Sequence, residues 1–269
     1  MFSPKGRDLE RGWPGILDGD VVVQLAAQTL QSFFTGGGKA RWHAEYPLAE
    51  VDLRPPVLHP PSVRDFYAFE QHVRTARAAR GLEVPQEWYE QPVFYFSNPA
   101  AIFGPDDEIP YLDGTQELDY ELEVAGIVGA GGDIAGFTVM NDWSARDLQR
   151  SEMRVGLGPA KGKDFATSLG PIVVTRDEFD GSRATMVARV NGEERSRGEL
   201  GDMYHSWDAI VAHAARNTRL LSGDVLGSGT VGTGCILELG DGRWLRPGDV
   251  VELEVEGIGV LRNRIAAPA

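Results

Sequence analysis

Apolar and polar residues alternate through Leu118-Asp119-Tyr120-Glu121-Leu122-Glu123-Val124, the two-residue period of a β-strand. The chain then enters Ala125-Gly126-Ile127-Val128-Gly129, an apolar stretch that reads as buried. Strand signals dominate from Val93 to Val139 and from Pro171 to Val190, and Asn191-Gly192 marks a hairpin turn. From Val225 to Ile265 short apolar runs alternate with Gly and Asp turns, which again reads as strands. Helical periodicity is rarer. It covers Val21 to Leu30, with Gly36-Gly37-Gly38 as the breaker. It returns from Val63 to about Ala79, with Ser62 as cap and Asp65 at the capping-box position, and around Asp208 to Leu221. Pro55-Pro56 and Pro60-Pro61 form a rigid link. They divide an N-terminal extension, residues 1–60, from a main domain, residues 61–269. Strands and helices do not alternate as in βαβ repeats, so the class is α+β.

Glu121 and Glu123 lie two apart, which on a strand means one face and a separation of roughly 6.5–7 Å. Carboxylates that close repel, and a hard divalent cation with oxygen ligands would remove the repulsion. On the strand alone a solvated acidic face is the commoner outcome, and Glu117 and Asp119 share that parity. A second acidic segment, Asn141-Asp142-Trp143-Ser144-Ala145-Arg146-Asp147-Leu148-Gln149, follows the apolar run Phe137-Thr138-Val139-Met140. With a helix starting at Asn141 or Asp142, Asp142, Arg146 and Gln149 share one face. That set suits a metal and an anionic, oxygen-rich substrate, and it equally suits a cap followed by an exposed ion pair.

Composition narrows the field. The 269 residues can bury an ample core, and a net charge of -14 argues against nucleic acid or an anionic membrane surface as partner. An acidic substrate must therefore be attracted locally, by metal, Arg or Lys. One cysteine, Cys235, rules out an internal disulfide, reads as a small core residue and fits a cytoplasmic location. The first residues carry no apolar run of the kind a signal peptide needs, and no stretch reaches the length of a membrane span. Gly158 to Thr167 is glycine-rich but lacks the ending of a phosphate loop.

Together, Glu121-x-Glu123, Gly136-Phe137-Thr138-Val139-Met140-Asn141-Asp142-Trp143-Ser144-Ala145-Arg146-Asp147 and Gly162-Lys163-Asp164-Phe165 resemble the fumarylacetoacetate hydrolase superfamily. The ending, Leu245-Arg246-Pro247-Gly248-Asp249-Val250-Val251 and Gly257-Ile258-Gly259-Val260-Leu261-Arg262-Asn263, is similar to that family's last strands. The resemblance covers about residues 60 to 265 and implies a large mixed sheet rolled into a flattened barrel with a few flanking helices. It implies that Asp65 of Asp65-Phe66-Tyr67 joins Glu121, Glu123 and Asp142 as metal ligands, and that His72 is the general base. Glu238, in Leu237-Glu238-Leu239 on an expected strand, is the implied partner of that histidine. Lys163 and Thr167 are placed at the metal site, where Lys163 offsets carboxylate charge and serves catalysis by stabilising an oxyanion, and Tyr67, Tyr95 and Thr230 against substrate. Without the resemblance, Asp65 reads as a helix cap, His72 as a partly buried surface residue and Glu238 as an outward strand residue.

The reading that follows is a hydrolase cleaving a carbon–carbon bond in a 1,3-diketo acid, with one Mg²⁺, Ca²⁺ or Mn²⁺, since all-oxygen ligation argues against zinc. Arg146 and Gln149 orient the small anionic keto-acid substrate. A keto-acid decarboxylase or isomerase is the alternative within the enzyme class, and a binding module with a structural metal is the alternative outside it. A homodimer is expected, with Met203-Tyr204-His205-Ser206-Trp207 either at the interface or lining core or active site.

Overall fold

The structure is a computed structural model that describes residues 1–7 and 9–267. Its larger sheet has seven strands, in the order Phe94–Ser97, Val63–Phe66, Val225–Gly227, Leu122–Val128, Ile134–Asp142, Thr167–Thr175 and Ile102–Phe103. The sheet is mixed: Val63–Phe66 runs parallel to Val225–Gly227, and Thr167–Thr175 parallel to Ile102–Phe103, while the other neighbours are antiparallel. Five strands form a second sheet, in the order Glu193–Glu199, Thr185–Val190, Val250–Val255, Gly259–Ile265 and Glu108–Ile109. With few helices around it, the mixed sheet curls into a half-barrel of the α+β class.

Leu122–Val128 is buried along its whole length, which is why it reads as a continuous apolar run. Leu122 and Val124 join Val139, Met186, Leu253 and Leu261 in the core between the sheets. Ala125 and Ile127 pack on the opposite face with Met140, Leu169, Val225 and Val57. Burying one large aliphatic side chain contributes about 1.5–3 kcal/mol. Leu122, Val124, Ile127 and Val128 together therefore offset the several kcal/mol that a buried carboxylate costs. This strand can carry Glu123 inside because its neighbours hold it there.

Several elements differ from their sequence reading. Val21 to Leu25 is a strand, not a helix; helix begins at Leu30, where Thr29 and Ser32 form a capping box. Three consecutive β-branched valines lie between Gly15–Asp18 and Trp42–Pro47 in a three-stranded antiparallel sheet, and pairing on both edges outweighs the helical spacing. Likewise Val63–Phe66 is an inner strand, and the helix starts only at Glu70 and ends at Ala78. Ser62 is therefore not its cap; its hydroxyl donates to Asp224 at 2.7 Å. All four residues of that strand are buried, Arg64 included, and its guanidinium is paired with Asp224 and lies over the Phe96 ring. The last predicted helix is shorter than its pattern, Trp207–Ala215, with Ser206 as cap. Asn191 and Gly192, both at positive φ, make the expected hairpin between Thr185–Val190 and Glu193–Glu199.

Of the aromatic stretch 203–207, Met203 and Trp207 pack against the core and His205 bonds the Trp88 carbonyl, leaving Tyr204 as its half-exposed ring. Among the described residues no helix is long and apolar enough to cross a membrane.

Candidate active site

Asp65 and Glu123 meet because their strands are neighbours once removed; Glu121 lies just before the Leu122–Val128 strand, since the expected continuous strand breaks at Tyr120 and Glu121. Asp65 sits beside Gly227, which pairs in turn with Ala125 of the Glu123 strand. A side chain at Gly227 would come within 2.4 Å of Asp65 Oδ1, so the missing Cβ makes room for the acid. One oxygen from each of the three carboxylates lies within 4.8 Å of the others. Asp142 joins from the end of the next strand. It does not start a helix: the strand runs through Asp142 and the helix Arg146–Met153 begins four residues on. Asp142, Arg146 and Gln149 thus share no helix face. The ammonium of Lys163 ties the groups together by donating to both Glu121 and Asp142. All four acids are at most 4 % exposed, so the solvated alternative is excluded.

The cations of this cluster are already engaged. Arg146 donates from Nε to Asp119 and from Nη2 to Glu121, each at 2.8 Å, and from Nη1 to the Gln149 carbonyl oxygen at 3.2 Å. It organises the acids while also lining the cavity. Thr230 donates to Glu123 at 3.2 Å and the Gly229 amide to the same carboxylate at 3.1 Å. The Tyr95 hydroxyl donates to Asp142. Thr167 pairs with Asp142 across the strands and is buried.

Five buried acids, Asp65, Asp119, Glu121, Glu123 and Asp142, share two buried cations, Lys163 and Arg146. The imbalance shows in their protonation. Burial, then the Asp142 charge, pushes Asp65 well up; burial, then Asp65 and Glu121, does the same to Glu123. Asp142 also rises through burial, although Lys163 opposes it. Glu121 alone goes down: burial would raise it, but Lys163 and Arg146 outweigh that. One oxygen each of Asp65 and Asp142 is buried with no hydrogen-bond partner. Buried carboxylates short of positive charge, with spare lone pairs pointing inward, fit a hard divalent ion. Asp65, Glu121, Glu123 and Asp142 are the residues that would hold it.

On another wall of the same cavity, His72 Nδ1 lies 2.8 Å from Glu238 Oε2, both side chains being at most 5 % exposed. His72 is in the first turn of the Glu70–Ala78 helix, whereas Asp65 lies on a strand, so the two do not share the helix expected from Val63 to about Ala79. Glu238 is likewise on a one-turn helix, Ile236–Leu239, rather than a strand; Gly240 in the left-handed conformation ends that turn. Tyr67 sets its ring edge-on to His72, centroids 5.3 Å apart. The cavity measures about 960 Å³. His72, Tyr67, Tyr95, Asp65, Glu121, Glu123, Arg146, Lys163, Gln149 and Thr230 line it, together with the apolar Phe66, Val93, Met153 and Leu237.

Asp119 escaped the sequence reading, which left it on a solvated face. It is fully buried and accepts from the amides of Ile236 at 2.8 Å and Leu237 at 3.1 Å, besides Arg146. It thereby fastens the turn that carries Glu238 to the arginine that holds Glu121. Its parity with Glu121 was the available signal. Asn141 was also passed over; its side-chain oxygen accepts from the Glu121 amide at 3.0 Å.

Comparison with known proteins places the chain in a family. The model of the fumarylacetoacetate (FAA) hydrolase C-terminal family matches residues 62–266. The human mitochondrial oxaloacetate tautomerase FAHD2A is 31% identical over 234 residues, 81% of this chain and 71% of that one. Among solved structures, fumarylacetoacetate hydrolase from Exiguobacterium antarcticum superposes with a TM-score of 0.75 at 28% identity, covering 96% of both chains. The 5-carboxymethyl-2-hydroxymuconate delta-isomerase from Mycobacterium smegmatis gives 0.73 at 28% identity, covering 94% of both.

Proposed function

The chain belongs to the fumarylacetoacetate hydrolase family, and on that premise we propose that it hydrolyses a carbon–carbon bond in a 1,3-diketo acid. The observation that carries this is His72, backed by Glu238, lining the same cavity as the buried carboxylates Asp65, Glu121 and Glu123. Members of the family commonly hold a divalent ion, and the acid cluster fits one. Such an ion would polarise substrate oxygens as a Lewis acid.

The chain's own residues do the rest. With Nδ1 against Glu238, His72 presents Nε2 as the atom that takes a proton. It removes that proton from a water in the cavity, and the hydroxide adds to the substrate carbonyl. Glu238 stabilises the imidazolium this creates. The carbon–carbon bond then breaks, its electron pair passing toward the neighbouring carbonyl oxygen, and the departing carbon takes a proton back. Lys163 and Arg146 keep Glu121 ionised throughout. The apolar lining and the volume of about 960 Å³ suit an acyl substituent beyond the diketo-acid head.

A second reading, keto–enol tautomerisation or isomerisation of a keto acid, is favoured by the 31% identity to the human oxaloacetate tautomerase. It uses the same base, with the proton taken from carbon instead of water. One assay separates them: the Mg²⁺- or Mn²⁺-loaded protein is given acylpyruvates, fumarylacetoacetate and enol-oxaloacetate, with and without chelator. Hydrolysis yields two carboxylic-acid products by chromatography and stops with chelator. Interconversion of oxaloacetate tautomers without any cleavage would replace the first reading with the second. No turnover of any of them would leave a binding module.

A further inference from the structure

Three ligand atoms of different hardness meet in the wall that carries the base. A ring nitrogen of His72, the thiol of Cys235 and an oxygen of Glu238 all lie within 4.8 Å of one another. Cys235 Sγ is 3.5 Å from Glu238 Oε2, and His72 Nδ1 is 2.8 Å from that same oxygen. Glu238 Oε1 is buried with no hydrogen-bond partner.

We propose that His72, Cys235 and Glu238 form a second metal site, suited to a borderline-soft ion such as Zn²⁺, whose occupation silences the enzyme by capturing its base. The site itself rests on geometry alone; the silencing rests on the role of His72 proposed above. Nitrogen, sulfur and oxygen donors in one cluster match zinc, whereas the carboxylate cluster matches a hard ion. Bonds of about 2.0–2.3 Å to a tetrahedral zinc place ligand atoms roughly 3.3–3.8 Å apart. The sulfur–oxygen spacing already fits. The nitrogen–oxygen spacing must open by roughly half an ångström on that scale. Glu238 rides on a single helical turn of four residues, so a small shift of that turn provides it. Coordination expels the thiol proton to solvent, one proton per ion bound, and water from the cavity that His72 lines fills the fourth position. The cluster thus sorts metals: a hard ion goes to the acids and supports turnover, and a soft one goes to the base and stops it.

Cobalt reports the site without substrate. The Mg²⁺-saturated protein is titrated with Co²⁺ and followed in the near ultraviolet, where a cobalt–thiolate bond has its charge-transfer band. Because Cys235 is the single cysteine, any such band is its signature. We expect the band in the wild type, its loss when Zn²⁺ is added, and its absence in Cys235→Ser. Zinc affinity should fall at least about tenfold in that variant, the lower end of what even an outer partner of a metal ligand contributes. Should Cys235→Ser not fold, Glu238→Gln must show the same weakening. No band in the wild type, or unchanged zinc affinity in the variant, overturns the site. A band with no inhibition of turnover by Zn²⁺ leaves the site standing and overturns the silencing.

Discussion

On one side of the site Asp65, Glu121, Glu123 and Asp142 gather near Lys163 and Arg146; on the other, His72 lines the cavity with Glu238 and Cys235 behind it. The first group has more negative charge than its cations answer, and its protonation is distorted accordingly. The second is one carboxylate against one imidazole. That imbalance decides what each cluster can receive. Excess buried negative charge is stable only with an ion or with protons in its place. A single carboxylate beside an imidazole is arranged to pass a proton. Metal dependence and proton transfer should therefore separate by mutation.

The largest effect is expected on the acid wall. Glu121→Ala removes the one carboxylate that Lys163 and Arg146 hold ionised, and it leaves both cations facing Asp142 and Asp119. Divalent-ion binding by calorimetry and turnover should vanish together. If the variant turns over substrate while binding no ion, the acid cluster is structural and the comparison between the walls collapses.

The base wall should break differently. General-base catalysis typically contributes about 10²–10⁴-fold, so His72→Ala should lower kcat by that factor. Its metal affinity should stay near wild type, because His72 is no part of the carboxylate cluster. A drop in Mg²⁺ affinity comparable to that of Glu121→Ala would mean that the two walls are one site.

How much of this was legible in the sequence also differs between the walls. Glu121 and Glu123 were singled out by their two-residue spacing, but their burial was not: the alternation alone favoured a solvated face, and Glu121 lies just before the buried strand Leu122–Val128. Asp65, His72 and Glu238 came only through resemblance, since each sits in an element whose local pattern points elsewhere. Val63–Phe66 looks helical until pairing on both edges is known, and Ile236–Leu239 alternates like a strand yet forms a single turn. In both, contacts far apart in sequence decide, and periodicity within a short window cannot report them. The same limit hid the burial of Asp119: its partners lie 27 residues away at Arg146 and 117 away at Ile236.

Asp119 offers the smallest and sharpest test, because it touches both walls at once. Its Oδ1 accepts from the Ile236 amide, which opens the turn bearing Glu238; its Oδ2 accepts from Leu237 and from Arg146, which grips Glu121. Asp119→Asn keeps the shape and one acceptor, but its NH₂ then meets a donor, either the guanidinium or an amide. Neither wall loses a ligand or a base; both lose the group that orients them. Partners of this kind typically account for about 10–100-fold, so kcat/KM should fall by that factor, less than for His72→Ala. Mg²⁺ affinity should weaken as well, since Arg146 is then less firmly aimed at Glu121, and circular dichroism at the assay temperature must confirm that the variant is folded. A folded Asp119→Asn with wild-type kcat/KM and wild-type metal affinity would show that the walls are positioned independently. A loss confined to kcat, with metal affinity unchanged, would show that Asp119 serves the base wall alone.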